Sequence, residues 1–177
     1  MDIYTLIKEE MKKVYLSRDC CFVGYSGGKD SSAMLTLLWD AISELSLQDR
    51  TKPIHILTSE IGVETPVMTA YISRTLKKIQ KNADKQNLPF IVHSVRPLMK
   101  DSYWYKLLGR GVLPPTGNSR LRWCTDSLKV KPMQRKMKEI LIDSPTKKVV
   151  DYFEEYNGVL ALAVRLSAKN STKMNCA

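Results

Sequence analysis

Residues 20–32 read Cys20-Cys21-Phe22-Val23-Gly24-Tyr25-Ser26-Gly27-Gly28-Lys29-Asp30-Ser31-Ser32, and their reading decides the fold. The first five are the right length and polarity for a buried parallel strand. Ala33-Met34-Leu35-Thr36-Leu37-Leu38-Trp39 then starts a helix. A strand, a Gly-Gly turn and a helix N-terminus in that order make an anion site. Free N–H groups at the helix start point at the ligand, and the helix dipole favours negative charge there. Gly27 and Gly28 let the backbone approach phosphate oxygens without Cβ obstruction. Lys29 adds a point charge, and Ser26, Ser31 and Ser32 offer hydroxyl donors.

The stretch is not a Walker A loop, which reads G-x-x-x-x-G-K-[ST]. Gly24 to Gly28 is one residue short, and Asp30 follows the lysine where Ser or Thr is required.

Working outward, Ile3, Leu6, Ile7, Met11 and Val14 predict an amphipathic helix over 2–16. Met34, Leu38, Ala41, Ile42 and Leu45 continue the helix after the loop to about Ser46. A polar turn leads to a second strand, Ile54 to Thr58, so the two strands should be parallel neighbours. That strand ends at Thr58-Ser59-Glu60, and ligands sit beyond the carboxyl ends of such strands. Glu60 reads equally well as a ligand contact or a solvated loop acid. Thr65-Pro66 is a clean helix start, and Phe90 to Val95 a third strand. His55 and His93 lie in strands among apolar neighbours and read as core or edge residues. Tyr103, Trp104, Leu107 and Leu108 suit a short helix. The Gly- and Pro-rich run from Gly109 to Arg120 suggests a substrate lid. Met133, Met137, Ile140 and Leu141 predict another helix. A further helix is expected from Val149 to Tyr156, ended by Asn157-Gly158. Val159 to Val164 is then expected as a buried parallel strand with Arg165 at its carboxyl end. The fold expected is α/β, Rossmann-like, a mostly parallel sheet with helices on both faces, as one domain over 1–177.

Composition agrees with a globular chain: 44% apolar and 26% charged residues. No apolar run approaches the roughly 18 residues of a membrane span. No signal peptide is evident, so a cytoplasmic site is expected. Net charge is +10, and basic residues cluster over Lys129, Lys131, Arg135, Lys136 and Lys138. That favours a polyanionic partner, nucleic acid first, with simple solubility as the other reading. Cys20, Cys21, Cys124 and Cys176 show no C-x-x-C spacing, and the first two read as core.

A second constellation is Arg120-Leu121-Arg122-Trp123-Cys124-Thr125-Asp126-Ser127-Leu128-Lys129-Val130-Lys131-Pro132. Arginines suit bidentate phosphate binding. Cys124 beside cations, near a helix start capped by Thr125, would favour a thiolate. A sulfur carrier, a cluster ligand or a nucleophile needs that; a packed Trp-Cys pair on a basic helix does not.

Ser-Gly-Gly-x-Asp-Ser resembles the PP-loop of the ATP pyrophosphatases, which split ATP between the α and β phosphates. Both constellations together, with Leu162-Ala163-Val164-Arg165, are similar to the phosphoadenosine-phosphosulfate reductase-like branch, closest to the DndC and SspD proteins of DNA phosphorothioation. The resemblance covers about residues 18 to 168. It implies an ATP pyrophosphatase that uses ATP and Mg2+ to activate DNA for replacement of a phosphate oxygen by sulfur. A cysteine desulfurase and other phosphorothioation proteins would be partners. Ser26, Gly27, Gly28, Lys29, Asp30, Ser31 and Ser32 would hold pyrophosphate. Thr58, Ser59 and Glu60 would approach the adenosine, and Arg122, Cys124 and Arg165 the reacting centre. Cys124 would also be the candidate iron-sulfur ligand, although the further cluster cysteines of family members lie in a C-terminal extension beyond the point where this sequence ends. The family's Arg-x-x-Glu-Ser is here Arg165-Leu166-Ser167-Ala168-Lys169. Other readings are an adenylylated-sulfate reductase using Cys176, a tRNA thiolation enzyme, whose usual paired cysteines are absent, and a non-catalytic basic DNA-binding subunit.

Overall fold

The 20–24 run is apolar at every position because both of its faces are covered. A computed structural model describes residues 2–17, 20–116, 123–143, 149–156 and 159–167, with backbone alone beyond residue 141. In chain order the elements are α1 (Ile3–Ser17), β1 (Cys20–Gly24), α2 (Lys29–Ser43), β2 (Ile54–Ser59), α3 (Pro66–Lys85), β3 (Phe90–Val95), α4 (Lys131–Asp143), β4 (Val149–Tyr156) and β5 (Val159–Ser167). The sheet order is β3-β2-β1-β4-β5. The first four strands are parallel neighbours, and β5 runs antiparallel to β4.

Strand alternation divides the core into two layers. Cys21 and Val23 pack with Met11 of α1, Leu35 of α2 and Leu76 of α3 on one face. Cys20 and Phe22 pack with Leu57 and with Met137 of α4 on the other. Both cysteines are therefore core residues. The expected class, a mostly parallel α/β sheet with helices on both faces, is what the chain forms. β1, β2 and β3 step outward through α2 and α3 on one face. The chain then returns along the opposite face through α4 to β4, on the other side of β1. The strand order reverses between β1 and β4, and such a reversal opens a crevice at the strands' carboxyl ends.

Local chemistry explains most boundaries. The side chain of Thr65 accepts a hydrogen bond from Met68 N, and Pro66 opens α3. α2 stops at Ser43, three residues before the expected Ser46; Glu44, just past its end, forms ion pairs with Lys8 and Lys12 of α1. The aromatic residues after β3 form a short helical run at 103–110 that tightens into a π-type turn over Tyr105–Gly109.

Three expectations need correction. Residues 149–156 are strand β4, not a helix. The run Val-Val-Asp-Tyr-Phe-Glu-Glu-Tyr is rich in β-branched and aromatic residues. Asn157-Gly158, taken as a helix end, is also the strongest two-residue hairpin signal, and Tyr156 pairs with Val159 across it. In consequence β5 is an antiparallel edge strand rather than a parallel one. This moves Arg165. It pairs with Asp151, which pairs with Cys21, three residues before the end of β1. The carboxyl end of β5 thus lies at the amino ends of the parallel strands, about 10 Å back from the loop that follows Gly24. Third, Thr125 caps nothing: Trp123 and Cys124 are already helical, and a π-type turn over Thr125–Val130 runs directly into α4.

Candidate functional site

The loop after β1 is built from its own hydroxyls. Tyr25 N donates to Leu57 O at 2.8 Å, which fixes the loop beside the end of β2. Gly27 turns the chain at φ +77°, and a Cβ there would lie 3.1 Å from Ile72 Cγ1 of α3, so only glycine fits. Ser31 is buried; its Oγ donates to Gly28 O at 3.1 Å and lies 3.0 Å from Ser26 Oγ. Ser26 N and Gly28 N reach hydroxyl oxygens only at 3.4 Å, the long limit of a hydrogen bond. Gly28 caps α2 in extended conformation without a side-chain bond, so the first amides of α2 stay open to an anion. Lys29 and Asp30 are exposed beside them, and the Ser32 hydroxyl lies 3.5 Å from Tyr25 Oη. Ser31 is therefore a scaffold for the loop, whereas Ser26, Lys29 and Asp30 face outward from it.

Next to the loop, a cavity of about 1030 Å³ opens between α3 and the carboxyl ends of β2 and β3. Ile72, which Gly27 approaches, lines it together with Leu76 and Val92. Its polar edge holds Thr58, Ser94, Glu60 and Arg96. Thr58 is 1% exposed, and its Oγ1 has no hydrogen-bond partner among the described residues. Such buried orphans are rare.

Glu60 is not a solvated acid. It accepts from Ser94 Oγ and from Arg96 Nε at 2.6 Å. The Ser94 hydrogen bond, with that of Arg96, holds its carboxyl below the usual carboxylate range. Sequence reasoning missed Ser94 and Arg96, yet the rule that selected Ser59 and Glu60, position at a strand's carboxyl end, also selects these.

Ser59 lines the same cavity and makes a further contact. Its Oγ donates to Leu128 O at 2.6 Å. Leu128 is four residues before Pro132, which has no N–H to return to that carbonyl. Ser59 thus fastens β2 to the helical run 123–143 at its weak point. Ser59→Ala should lower unfolding stability by about 1–3 kcal/mol, the cost of leaving a buried carbonyl short of a donor. Denaturant melts check this; unaltered stability would contradict it.

Cys124 is half-buried at the start of the helical run. Its neighbour Trp123 donates from Nε1 to Leu113 O at 2.9 Å, and Lys106 Nζ stands 5.1 Å from the Trp123 ring centroid. Arg120, Arg122 and Cys176 lie outside the described residues, as does part of the expected lid. Arg165 belongs at the other end of the sheet. Among the described residues no three His, Cys, Asp or Glu side chains gather around a metal position. Cys20 and Cys21 are spent inside β1. The described residues therefore hold no ligand set for a four-iron cluster. Nor is any helix among them long and apolar enough to cross a membrane.

No family model matches the chain, and no curated protein matches it. Among solved structures, NAD+ synthetase from Burkholderia pseudomallei is similar over 85% of this chain, with 13% identity and a TM-score of 0.47. The chain covers 62% of the length of that structure. At that score the likeness bears on neither the site nor its chemistry.

Proposed function

We propose that the chain is a PP-loop ATP pyrophosphatase that forms AMP and pyrophosphate and activates a DNA backbone phosphate for sulfur incorporation. The observation that carries the ATP part is the adjacency of two features. A helix start with no side-chain cap, carrying Lys29 and Asp30, lies beside a cavity whose polar edge holds Ser94, Glu60 and Arg96. The first suits the phosphates and the second the nucleoside. A phosphate oxygen would replace the 3.4 Å contacts of Ser26 N and Gly28 N by shorter, charge-assisted bonds. Apolar walls at Ile72, Leu76 and Val92 suit a base, and the polar edge at Ser94 and Glu60 suits a ribose.

In this reading an oxygen of the substrate phosphate attacks the α-phosphorus of ATP, and the bond to the β-phosphate oxygen breaks. Pyrophosphate leaves into the 26–31 loop, where Lys29 and the α2 amides stabilise the charge it acquires. Asp30 offers the carboxylate that would hold Mg2+ with the phosphate oxygens; the ion, when bound, offsets part of that charge. The adenylated phosphate is then open to a sulfur nucleophile, with AMP as leaving group. A cysteine desulfurase would supply the sulfur as a persulfide on the Cys124 thiol. Its outer sulfur attacks the phosphorus as AMP leaves. Two external thiols then supply the two electrons that break the S–S bond, freeing the phosphorothioate, the Cys124 thiol and a disulfide. The +10 net charge supports a nucleic-acid substrate.

Product analysis with ATP labelled at the α-phosphate, in Mg2+, with and without DNA, tests the reading. Labelled AMP with release of pyrophosphate is expected. Labelled ADP would overturn it.

A further inference from the structure

We propose that segment 99–110, seated on Trp123, is a stacking platform for the unpaired bases of single-stranded DNA. The proposal rests on the reading above for DNA as the nucleic acid, and adds the form of strand and the surface that takes it.

The platform is aromatic, exposed and fastened from below. Tyr103 stacks on Trp123 with ring centroids 5.8 Å apart, and Trp104 stands edge-on to Tyr103 at 5.3 Å. Lys106 anchors the cluster: its Nζ lies over Trp123, donates to Ser127 Oγ and pairs with Asp101 at 3.8 Å. These contacts hold the rings before any ligand arrives, so little side-chain entropy is left to lose on binding. Yet Trp104 remains 55% exposed and Leu108 77%. Tyr103 and Trp123 are the held rings, and Trp104, edge-on to Tyr103, is the open one and does not serve the core.

Charge decides the occupant. Lys106 is occupied, but Lys100 and Arg110 are exposed on the same segment, and Asp101 is its one acid. Cations interleaved with rings suit a strand whose phosphates meet Lys and Arg while its bases stack. Duplex DNA keeps its base faces stacked on one another, so only an unpaired base can use Trp104. The platform also borders the cavity: its Ser102, and Pro97 just before the segment, line the cavity wall.

The test is equilibrium binding of a dye-labelled oligonucleotide to the full chain, single-stranded and as the same sequence in duplex, over a range of salt. Binding tighter to the single strand is expected. Trp104→Ala should weaken it by roughly 5- to 100-fold, the worth of one stacked base, and Trp104→Phe should restore most of the loss. Lys100→Ala with Arg110→Ala should flatten the salt slope. A duplex preference, an unchanged affinity for Trp104→Ala, or Trp104-dependent binding to anionic phospholipid vesicles rather than to DNA would each overturn the proposal. Formation of AMP from ATP, assayed with the oligonucleotides present, separates the two readings. AMP formation without Trp104-dependent binding removes the platform alone. Trp104-dependent binding without AMP formation removes the pyrophosphatase alone.

Discussion

Lys29→Ala lowers pyrophosphate release from ATP by roughly 100- to 1000-fold while leaving the fold intact, the range seen when one preorganised charge partner of a developing anion is removed. The side chain is exposed at the first turn of α2 and supports no core contact. Its loss therefore falls on the transition state, where pyrophosphate gains charge, more than on the resting protein. Asp30→Ala should lose activity to a similar extent, with one difference. Asp30 is an acid in the first helical turn, where it also favours the dipole, so a stability loss of about 0.3–1 kcal/mol accompanies the variant. Ser31→Ala behaves otherwise. Its buried hydroxyl ties Gly28 O to Ser26 Oγ, so removing it loosens the loop and lowers stability and turnover together. Rate assays paired with thermal melts distinguish the three variants. Normal pyrophosphate release from Lys29→Ala and Asp30→Ala would refute the assignment of the loop.

How far the sequence was legible depends on how local each signal was. From α1 to β3, periods of 3.6 and 2, the Gly-Gly turn and Thr65-Pro66 all act within a few residues, and each element formed nearly where its residues placed it. The 149–156 run failed because Val149, Tyr152, Phe153 and Tyr156 fall at helical spacing although the residues themselves are β-branched and aromatic, while Asn157-Gly158 serves equally as helix end and hairpin turn. One mistaken turn then reversed the strand after it, and with it the position of Arg165. At the candidate site the backbone features were legible because Gly27, Gly28 and Lys29 state their geometry directly. The side-chain division of labour was not. That Ser31 supports the loop, and that Ser59 answers the carbonyl opposite Pro132, depends on contacts from residues five and sixty-nine positions away. The proline within the 123–143 helical run was a visible hint that a carbonyl four residues earlier needed a donor, but the donor's identity needed the fold.

The same limit applies to the two histidines, and their pairing leads to the second large effect: acid destabilisation that starts well above the carboxylate range. Each histidine alone reads as an apolar-strand residue, but strand register brings His55 Nδ1 to 2.9 Å from His93 Nε2. Phe22 of β1 stacks on His55 at 5.3 Å, and α4 lays Lys136 nearby. Burial first, then the neighbouring His93 and Lys136, push the His55 pKa from 6.5 down to about 4. Burial and Lys136 lower His93 as well. The sign follows from proton uptake. Between pH 6.5 and 4 the unfolded chain binds a proton at His55 that the folded chain refuses, so stability is full above 6.5 and falls as the pH drops through that window. At about 1.4 kcal/mol per pH unit, lowering the pH from 6.5 to 5 removes about 2 kcal/mol through His55. Little of that interval overlaps carboxylate titration, so the histidines dominate it. Denaturant unfolding at steps across it measures the slope in the native chain and in His55→Gln, which keeps a hydrogen-bonding group but does not titrate. The variant should lose most of the slope whatever its stability at pH 7.5. Equal slopes in the two proteins would mean that His55 takes up its proton in the folded state, and that the pair is open to water rather than sealed between β1, β3 and α4.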